Sequence, residues 1–496
     1  MFAASTFVDI NDLEKQGFKS HRETRGVFFN KVRTLYDADL ETDSLVLIQV
    51  LVLMTYWYDR PEDLKKRSHW MRIALSFATD IGLIHNSVLV GLSPAQQRLR
   101  RRLWWCSLMR DELISFSERQ PSSITWDEID FPPLSIDDLD SGALSKALER
   151  YHIPDHDKES EILTELCLQK IRLCVLIGRI LHTQYELSSH RRRTSSRSKL
   201  LLIPKFSGSA SAEYMSRDQE LRKWGDDVCE ALHDSIDKDP QRNSTLVGIH
   251  SAVLELLYMT VLGMAHRPQM LNRHLGDSAA KALQEFSQQT LRTAAKRISE
   301  IADYLSSAEL LWFLPPIGLT ALLFAAMQHI KDSLSSSTTL HNTAEQGLEW
   351  TVQAMIRLKE MYPQAHHALA FLELVRTKNL QVDESSERSI FSFFRDEATH
   401  YVPALQQAEA DRIMSDAQER HELRVDYPNL NPSTESTSNN SVREGIDYSQ
   451  RRGFSFESFL DLDEASEIFL SGNFDIAEFE RVDWTEVFQD RSGDPA

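Results

Sequence analysis

Apolar residues recur at helical spacing along most of the 496-residue chain, and this periodicity limits its fold more than any other feature. Between Trp70 and Ile81 the large apolar residues stand three or four positions apart, and Gly82 follows where a helix C-cap is expected. Further helical patterns cover residues 42–58, 97–116, 159–187, 218–235, 244–264, 278–305, 316–334, 343–361 and 365–378. Segments that alternate apolar and polar residues are scarce, so we expect no sizeable sheet. The chain is predicted to be all-α.

The composition is that of a globular protein, with 42% hydrophobic residues, 26% charged residues, 17 Gly and 16 Pro. These values are far from those of collagen-like or wholly disordered chains. Four cysteines in so long a chain cannot build a disulfide scaffold, and they favour a reducing compartment. The formal net charge of −19 argues against a surface that binds polyanions.

Two apolar stretches, residues 45–57 and 310–327, are candidates for membrane spans. The first is too short, because a span needs roughly 20 residues. The second is interrupted by Pro315 and Pro316. The chain also begins without the basic patch and apolar run of a secretory signal. We therefore expect a soluble protein that has no membrane partner.

Two polar segments interrupt the helical pattern. Residues 188–216 contain Arg191–Arg193 among serines, and we expect a mobile loop within the helical body. Its basic run is compatible with a solvated loop or with a stretch for nuclear localisation or regulation by phosphorylation. Residues 426–453 are rich in Ser, Asn, Thr and Pro and are predicted to be a disordered linker.

The last segment, residues 454–496, has a different composition. Acidic residues alternate there with eight large aromatic residues: Phe454, Phe456, Phe459, Phe469, Phe474, Phe479, Trp484 and Phe488. Repulsion between carboxylates keeps such a chain expanded, so its aromatic side chains stay available to a hydrophobic groove on a partner. This composition is typical of a disordered activation segment. The alternative is that the segment packs on its own helical body as a final helix.

The sequence contains none of the common enzyme motifs, such as a P-loop, G-x-S-x-G or H-E-x-x-H. His152, Asp155, His156 and Asp157 include metal-ligating residue types, but acids before a helix more simply act as its N-terminal caps. No Cys-x-x-Cys pair is present, and we expect Cys106, Cys167 and Cys174 to be core residues. We therefore assign no catalytic, cofactor-binding or metal-binding residue and expect no enzymatic activity.

A basic run, Arg98 and Arg100–Arg102, precedes the pair Trp104–Trp105. Cations next to aromatic residues can bind nucleic acid. Helical geometry favours a different interpretation, because residues 101, 104, 105 and 108 share one face of the helix. We predict that both tryptophans lie in the core and that nearby arginines pair with carboxylates such as Asp80 or Asp111.

Three segments within residues 42–140 carry a family resemblance: LVLIQVLVLMTYWYDRPED, HWMRIALSFATDIGLIHN and RLRRRLWWCSLMRDELI. Arg119–Pro121 and the sequence IDFPPL close this region. Together they resemble the middle homology region of fungal-specific transcription factors of the zinc binuclear cluster class, in particular the cutinase-gene regulators. The sequence departs from that family in two ways. Arg-Gln-Pro replaces the usual Gly-Arg-Pro, and the six-cysteine DNA-binding cluster is absent.

The resemblance implies an all-helical regulatory domain over residues 1–425, located in the nucleus, and a regulator of RNA polymerase II genes without its own zinc cluster. Genes of a metabolic or secondary-metabolite pathway are the expected targets. In this family the region has no catalytic residues, and it restrains or licenses the activator. The matching motif residues would then serve as scaffold for helix packing: Arg101, Arg102, Trp104, Trp105, Arg110 and Asp111.

The expected partner is a coactivator or a DNA-bound transcription factor, with no direct sequence-specific DNA contact by this chain. A small-molecule inducer and a homodimer or heterodimer also fit the resemblance. The alternative hypothesis is a helical ligand-binding protein or enzyme in which the acidic tail is incidental. That alternative predicts a deep polar pocket with converging ionisable groups.

Overall fold

The computed structural model describes residues 8–57, 65–125, 129–189, 200–205, 210–232, 245–271 and 278–359, together with residue 5 and several positions from 361 to 375. The pattern at 365–378 lies only partly within these residues. The predicted linker 426–453 and acidic-aromatic segment 454–496 lie outside them. The elements described below belong to one compact unit, which includes residues 1–191 and 197–373.

The described part of the chain is all-α, as predicted. Its helices are α1 (Ile10–Lys15), α2 (His21–Asp37), α3 (Ser44–Met54), α4 (Arg67–Asp80), α5 (Pro94–Glu118), α6 (Ser141–Arg150), α7 (His156–Gln184), α8 (Ala210–Leu232), α9 (Thr245–Leu271), α10 (Ser278–Ser307), α11 (Ile317–Ser333) and α12 (Thr338–Leu358). Three short 3₁₀ turns occur at Asn86–Leu89, Ile136–Asp138 and Leu311–Phe313.

Local sequence explains where α4 ends. Ile81 is the C-cap, and Gly82 has the left-handed backbone, with φ of +68°, that a glycine adopts without strain. The Gly82 N–H donates to the Thr79 carbonyl at 2.9 Å, and the Leu83 N–H donates to the Ala78 carbonyl at 2.8 Å. These two bonds are those of a Schellman motif. The C-terminal role predicted for Gly82 is confirmed.

The prediction of a single loop over residues 188–216 is wrong in part. Strands β1 (Tyr185–Ser189) and β2 (Leu200–Pro204) form an antiparallel hairpin in which Ser189 faces Leu200, and α8 begins at Ala210. The Leu202 N–H donates to the Arg119 carbonyl at 2.9 Å, and the Arg119 guanidinium donates to the Leu202 carbonyl at 2.8 Å. The hairpin is therefore tied to the end of α5. The basic run 191–193 lies outside the described residues.

Two groups of buried side chains form the core. The first lies mainly among α3, α4 and α5 and includes Trp70 and Trp104. The second lies mainly among α7, α8 and α9 and includes Leu173 and Leu221. Helices α5 and α7 contribute to both groups, so they join the N-terminal helices to the rest of the unit. Beyond them, α10 packs against α9, α11 and α12.

One described helical segment, Thr245–Met270, is long and apolar enough to cross a membrane by length and composition. It belongs to α9, which packs against α7, α8, α10 and α11. Two thirds of its most apolar window is buried within this bundle. Its apolar character is that of a central core helix, and the sequence analysis did not consider it as a span.

The packing of α10, α11 and α12 encloses a histidine. His329 is almost completely buried, its Nε2 lies 3.1 Å from the Ser299 hydroxyl, and Gly347 leaves room for its ring. Burial lowers the pKa of His329 from 6.5 to about 4, although Asp332 and a hydrogen bond with the Ala295 backbone act in the opposite direction. The folded protein therefore favours the neutral imidazole.

We predict that this histidine makes the fold sensitive to mild acid. Because the pKa of His329 is lower in the folded state than in the unfolded state, stability falls as the pH drops from about 6.5 to about 4. Between these pH values His329 contributes up to about 1.4 kcal/mol per pH unit to the change of the unfolding free energy with pH. His329→Gln should remove this contribution in urea unfolding curves recorded between pH 4.5 and 7.5. The prediction would be contradicted if the unfolding free energies of the variant and the wild type changed with pH at the same rate.

Candidate functional site

The motif shared with regulators lies on α5, and its tryptophans are inside the protein. Trp104 is 2% exposed, and its ring centroid lies 6.3 Å from that of Phe131. The Trp105 indole N–H donates to the Pro132 carbonyl at 2.9 Å. Every residue from Leu113 to Glu118 is also buried, so the end of the helix is enclosed on all sides. The prediction that both indoles lie in the core is confirmed.

Two of the arginines before the tryptophans bind Asp138, which is not one of the acids predicted as their partners. Arg101 Nε lies 2.7 Å from Asp138 Oδ1, and Arg102 Nη1 donates to the Asp138 carbonyl at 2.7 Å. Burial raises the pKa of Asp138, but hydrogen bonds from Ser135 and Arg101 outweigh it and hold the pKa below its usual value. The predicted pairing with Asp80 or Asp111 is wrong. The 3₁₀ turn after α5 brings Asp138 to this face instead.

Arg110 holds the end of α3. Its Nε donates to the Thr55 hydroxyl at 2.7 Å, and its Nη2 donates to the Thr55 carbonyl at 2.9 Å. Its guanidinium carbon also lies 3.8 Å from the centre of the Tyr56 ring, a close cation–π contact. Since Thr55 is the C-cap of α3, a cation here satisfies a terminal carbonyl and complements the helix dipole. Burial lowers the pKa of Arg110 from its usual value.

Two further side chains meet around Tyr56. The Arg25 guanidinium on α2 donates to the Tyr56 carbonyl at 2.8 Å. The Tyr362 hydroxyl donates to the Leu314 carbonyl at 2.8 Å, and burial raises the pKa of Tyr362 to about 12 although Arg25 and Arg110 lower it. The residues around Arg110 therefore connect α2, α3 and α5 with the segment that follows α12.

Two acidic residues of α5, Asp111 and Glu118, are also paired inside the protein. Asp111 Oδ2 accepts from the Ser122 hydroxyl at 2.9 Å and from the Ser123 N–H at 2.8 Å. Burial raises the pKa of Asp111, and these two serines oppose the shift. Glu118 forms a buried ion pair with Arg67, with Nη2 and Oε1 2.9 Å apart. Arg110, Asp111 and Glu118 thus each fix a loop or a neighbouring helix.

A second polar network joins α8, α9 and α10, and the sequence analysis did not identify it. His266 Nε2 lies 2.9 Å from Asp218 Oδ1, and its Nδ1 lies 3.1 Å from the Ser287 hydroxyl and next to the Tyr214 hydroxyl. Arg222 forms two bonds of 3.0 Å to Asp218. The signal in the sequence that could have pointed to this network is the His-Arg-Pro tripeptide at 266–268, which matches the pattern of the family only weakly.

The Asp218–His266–Ser287 order resembles the proton relay of hydrolases. However, His266 and Ser287 have no exposed surface, so a substrate cannot reach the serine. Burial would raise the pKa of Asp218, but hydrogen bonds from His266 and Arg222 outweigh it and lower the pKa. The network therefore holds three helices together through an ionised, fully paired carboxylate.

The candidate metal ligands are not brought together. Asp155 is at the N-cap of α7 but makes no side-chain capping bond, so its predicted capping role is wrong. Asp157 accepts a hydrogen bond from Ser145, and His156 Nε2 is 4.0 Å from Asp157. Across the described residues, no group of three or more His, Cys, Asp or Glu side chains is placed to hold a metal ion.

The cysteines are placed largely as predicted. Cys174 is buried, and Cys106 and Cys167 are half-buried. Burial raises the pKa of the Cys106 thiol to about 11, and it raises the pKa of Cys167 as well. Thiols of this kind are poor nucleophiles at neutral pH.

The part of the chain that contains α5 is similar to a known protein domain. Residues 1–224, which include all of α5 and the residues bound to Arg110 and Asp111, match the model of the fungal specific transcription factor domain. This part of the chain is similar to that domain. The match extends well beyond residues 42–140, which carry the motifs. No solved structure matches the chain.

The chain is also similar to curated fungal regulators. It is 32% identical over 392 residues to cutinase transcription factor 1 beta of Fusarium vanettenii, covering 76% of this chain and 44% of that protein. It is 27% identical over 395 residues to transcription factor cpaR of Aspergillus oryzae, covering 77% and 64%. It is 26% identical over 374 residues to the acetamidase regulatory protein of Aspergillus fumigatus, covering 74% and 42%. The chain therefore spans less than two thirds of each.

We predict that Arg110→Ala destabilises the helical body by about 3 kcal/mol, because it removes charged hydrogen bonds from a buried site. The matched control is Arg98→Ala, which changes an exposed arginine on the same helix and should cost less than about 0.5 kcal/mol. Urea unfolding followed by circular dichroism measures both. Equal urea concentrations at the unfolding midpoints of the two variants would contradict the role given to Arg110.

Proposed function

We propose that this chain regulates transcription by RNA polymerase II, with a helical body that holds and controls an acidic-aromatic segment. The observation that carries the proposal is the match of residues 1–224 to the fungal specific transcription factor domain, together with similarity to named fungal regulators. In this proposal the body comprises residues 1–425, a linker follows at 426–453, and residues 454–496 are the activation segment.

The contacts of α5 support a scaffold role for the body. Arg101 and Arg102 bind Asp138, and both tryptophans after them are buried. These side chains are therefore not available to stack on bases or to bind phosphates, which a nucleic-acid surface requires. Their interactions position helices, which suits a domain that restrains or licenses a separate active segment.

The charge distribution supports the role given to the C-terminal segment. Residues 454–496 contain twelve acidic residues and two arginines, and so carry more than half of the net charge of −19. Such an excess of one charge opposes collapse of the eight aromatic side chains. A hydrophobic groove on a coactivator would bind these aromatic residues, with Phe479 and Trp484 as anchors.

The DNA contact is proposed to come from a partner. The 496 residues contain four cysteines, fewer than the six of a zinc cluster. In this proposal a DNA-bound transcription factor in the nucleus makes the sequence-specific contact. Association as a homodimer or heterodimer would bring the two proteins together. The names of the cutinase and acetamidase regulators suggest target genes in a metabolic pathway.

The enzyme alternative receives less support. It requires an accessible pocket in which ionisable groups converge. Among the described residues, Asp218, His266 and Ser287 have the arrangement of a proton relay, but His266 and Ser287 have no exposed surface.

We predict that residues 454–496 activate a reporter gene when fused to a foreign DNA-binding domain. Phe479→Ala with Trp484→Ala should reduce activation at least fivefold, because the aromatic anchors supply most of the binding energy in such contacts. Asn473→Ala is the matched control and should leave activation unchanged. A fusion of the full chain should activate less than the isolated segment, since the body restrains it. An inactive segment would contradict the proposal.

A further inference from the structure

A groove of about 530 Å³ lies along the outward face of α4. Side chains of α4 from Lys66 to Asp80 line it, together with Tyr36 of α2. Its volume lies within the range of about 300–1,000 Å³ that small-molecule sites occupy. Neither of the polar networks described above includes the side chains of this groove.

One end of the groove is cationic. His69 and Arg72 are three residues apart on α4 and therefore lie on one face of the helix. Among the described residues Arg72 is exposed and forms no ion pair, although its charge acts on the buried carboxyl of Asp111 and opposes the burial that raises the pKa of that group. The nearby Lys65 is paired with Asp37 at 3.5 Å. Burial lowers the pKa of His69, and the nearby charges of Lys65 and Arg72 lower it further. Arg72 is thus a cation available for an anionic ligand.

The middle of the groove is apolar and aromatic. Ile73 and Phe77 are one helical turn apart, and both are half-buried. The Tyr36 side chain also borders the groove, and burial together with the charges of Asp37 and Asp39 raises its pKa. Its protonated hydroxyl is a hydrogen-bond donor. The acid of the groove, Asp80, is eight residues beyond Arg72, or about 12 Å along the helix. His69, Ile73 and Phe77 are spaced four residues apart on α4, so the imidazole and the apolar side chains lie along one face of the helix. Asp80 lies at the far end of the groove, three residues beyond Phe77.

We propose that this groove binds a small aromatic carboxylate, with the carboxylate on Arg72 and His69 and the ring on Phe77 and Ile73. Arginine forms two parallel hydrogen bonds with a carboxylate, and a neutral imidazole can donate a third. The Phe77 ring then covers the apolar part of the ligand. Binding of this ligand does not depend on the proposed function. Only the use of the ligand as a regulatory signal rests on that function.

The test titrates the full chain with three matched probes in a calorimeter: 2-naphthoate, 2-naphthalenemethanol and 2-naphthylmethylammonium. They share one ring system and differ in charge. We expect 2-naphthoate to bind at least tenfold more tightly than the neutral and cationic probes. Arg72→Gln should weaken naphthoate binding at least tenfold, and Arg72→Lys should restore part of it. Arg172→Gln is the control, since it changes an exposed arginine on α7 and should have no effect.

Two results would overturn the proposal. One is equal binding of 2-naphthoate and the neutral alcohol, or of wild type and Arg72→Gln, since either would show that the cation is not used. The other is displacement of 2-naphthoate by a peptide of residues 474–488 that binds more tightly, since the groove would then serve the acidic segment of this chain. Both results are independent of the reporter experiment, so this inference and the proposed function fail separately.

Discussion

Burial of the C-terminal half of α5 is the constraint on which the rest of the helical body depends. That half carries Arg110, Asp111 and Glu118, and each is less than a tenth exposed. A buried charge without partners would cost several kcal/mol, so each must find hydrogen bonds or an opposite charge. Thr55, Ser122 and Arg67 provide them, and in doing so they fix α3, the loop after α5 and the start of α4.

The same constraint agrees with the different roles that the proposed function gives to the two ends of the chain. A helix whose cations and tryptophans are used inside the protein has little left with which to read nucleic acid. In the proposed function the body acts by contact with other parts of a regulator. Residues 454–496 have the opposite character, with many aromatic residues and little opposing charge. The proposed function assigns to that segment the contact with the transcription machinery.

Sequence reasoning located the helices with strong periodicity but missed weaker ones. Helix α4 was placed nearly to its last residue because an apolar face and a glycine cap are local signals. Helix α2 and the hairpin strand β2 were missed. Helix α2 has only a few buried residues, and β2 is a five-residue apolar run between polar segments, which does not distinguish a strand from part of a loop.

The sequence by itself determined the all-α class, the burial of Trp104 and Trp105, and the resemblance to fungal regulators, because periodicity and short motifs are local properties. Only the tertiary structure decided which groups pair. Arg101 binds Asp138 rather than Asp80 or Asp111, and His266 binds Asp218 and Ser287 across three helices. Such choices depend on distances between residues far apart in the chain. No local pattern encodes those distances, since packing of whole helices sets them.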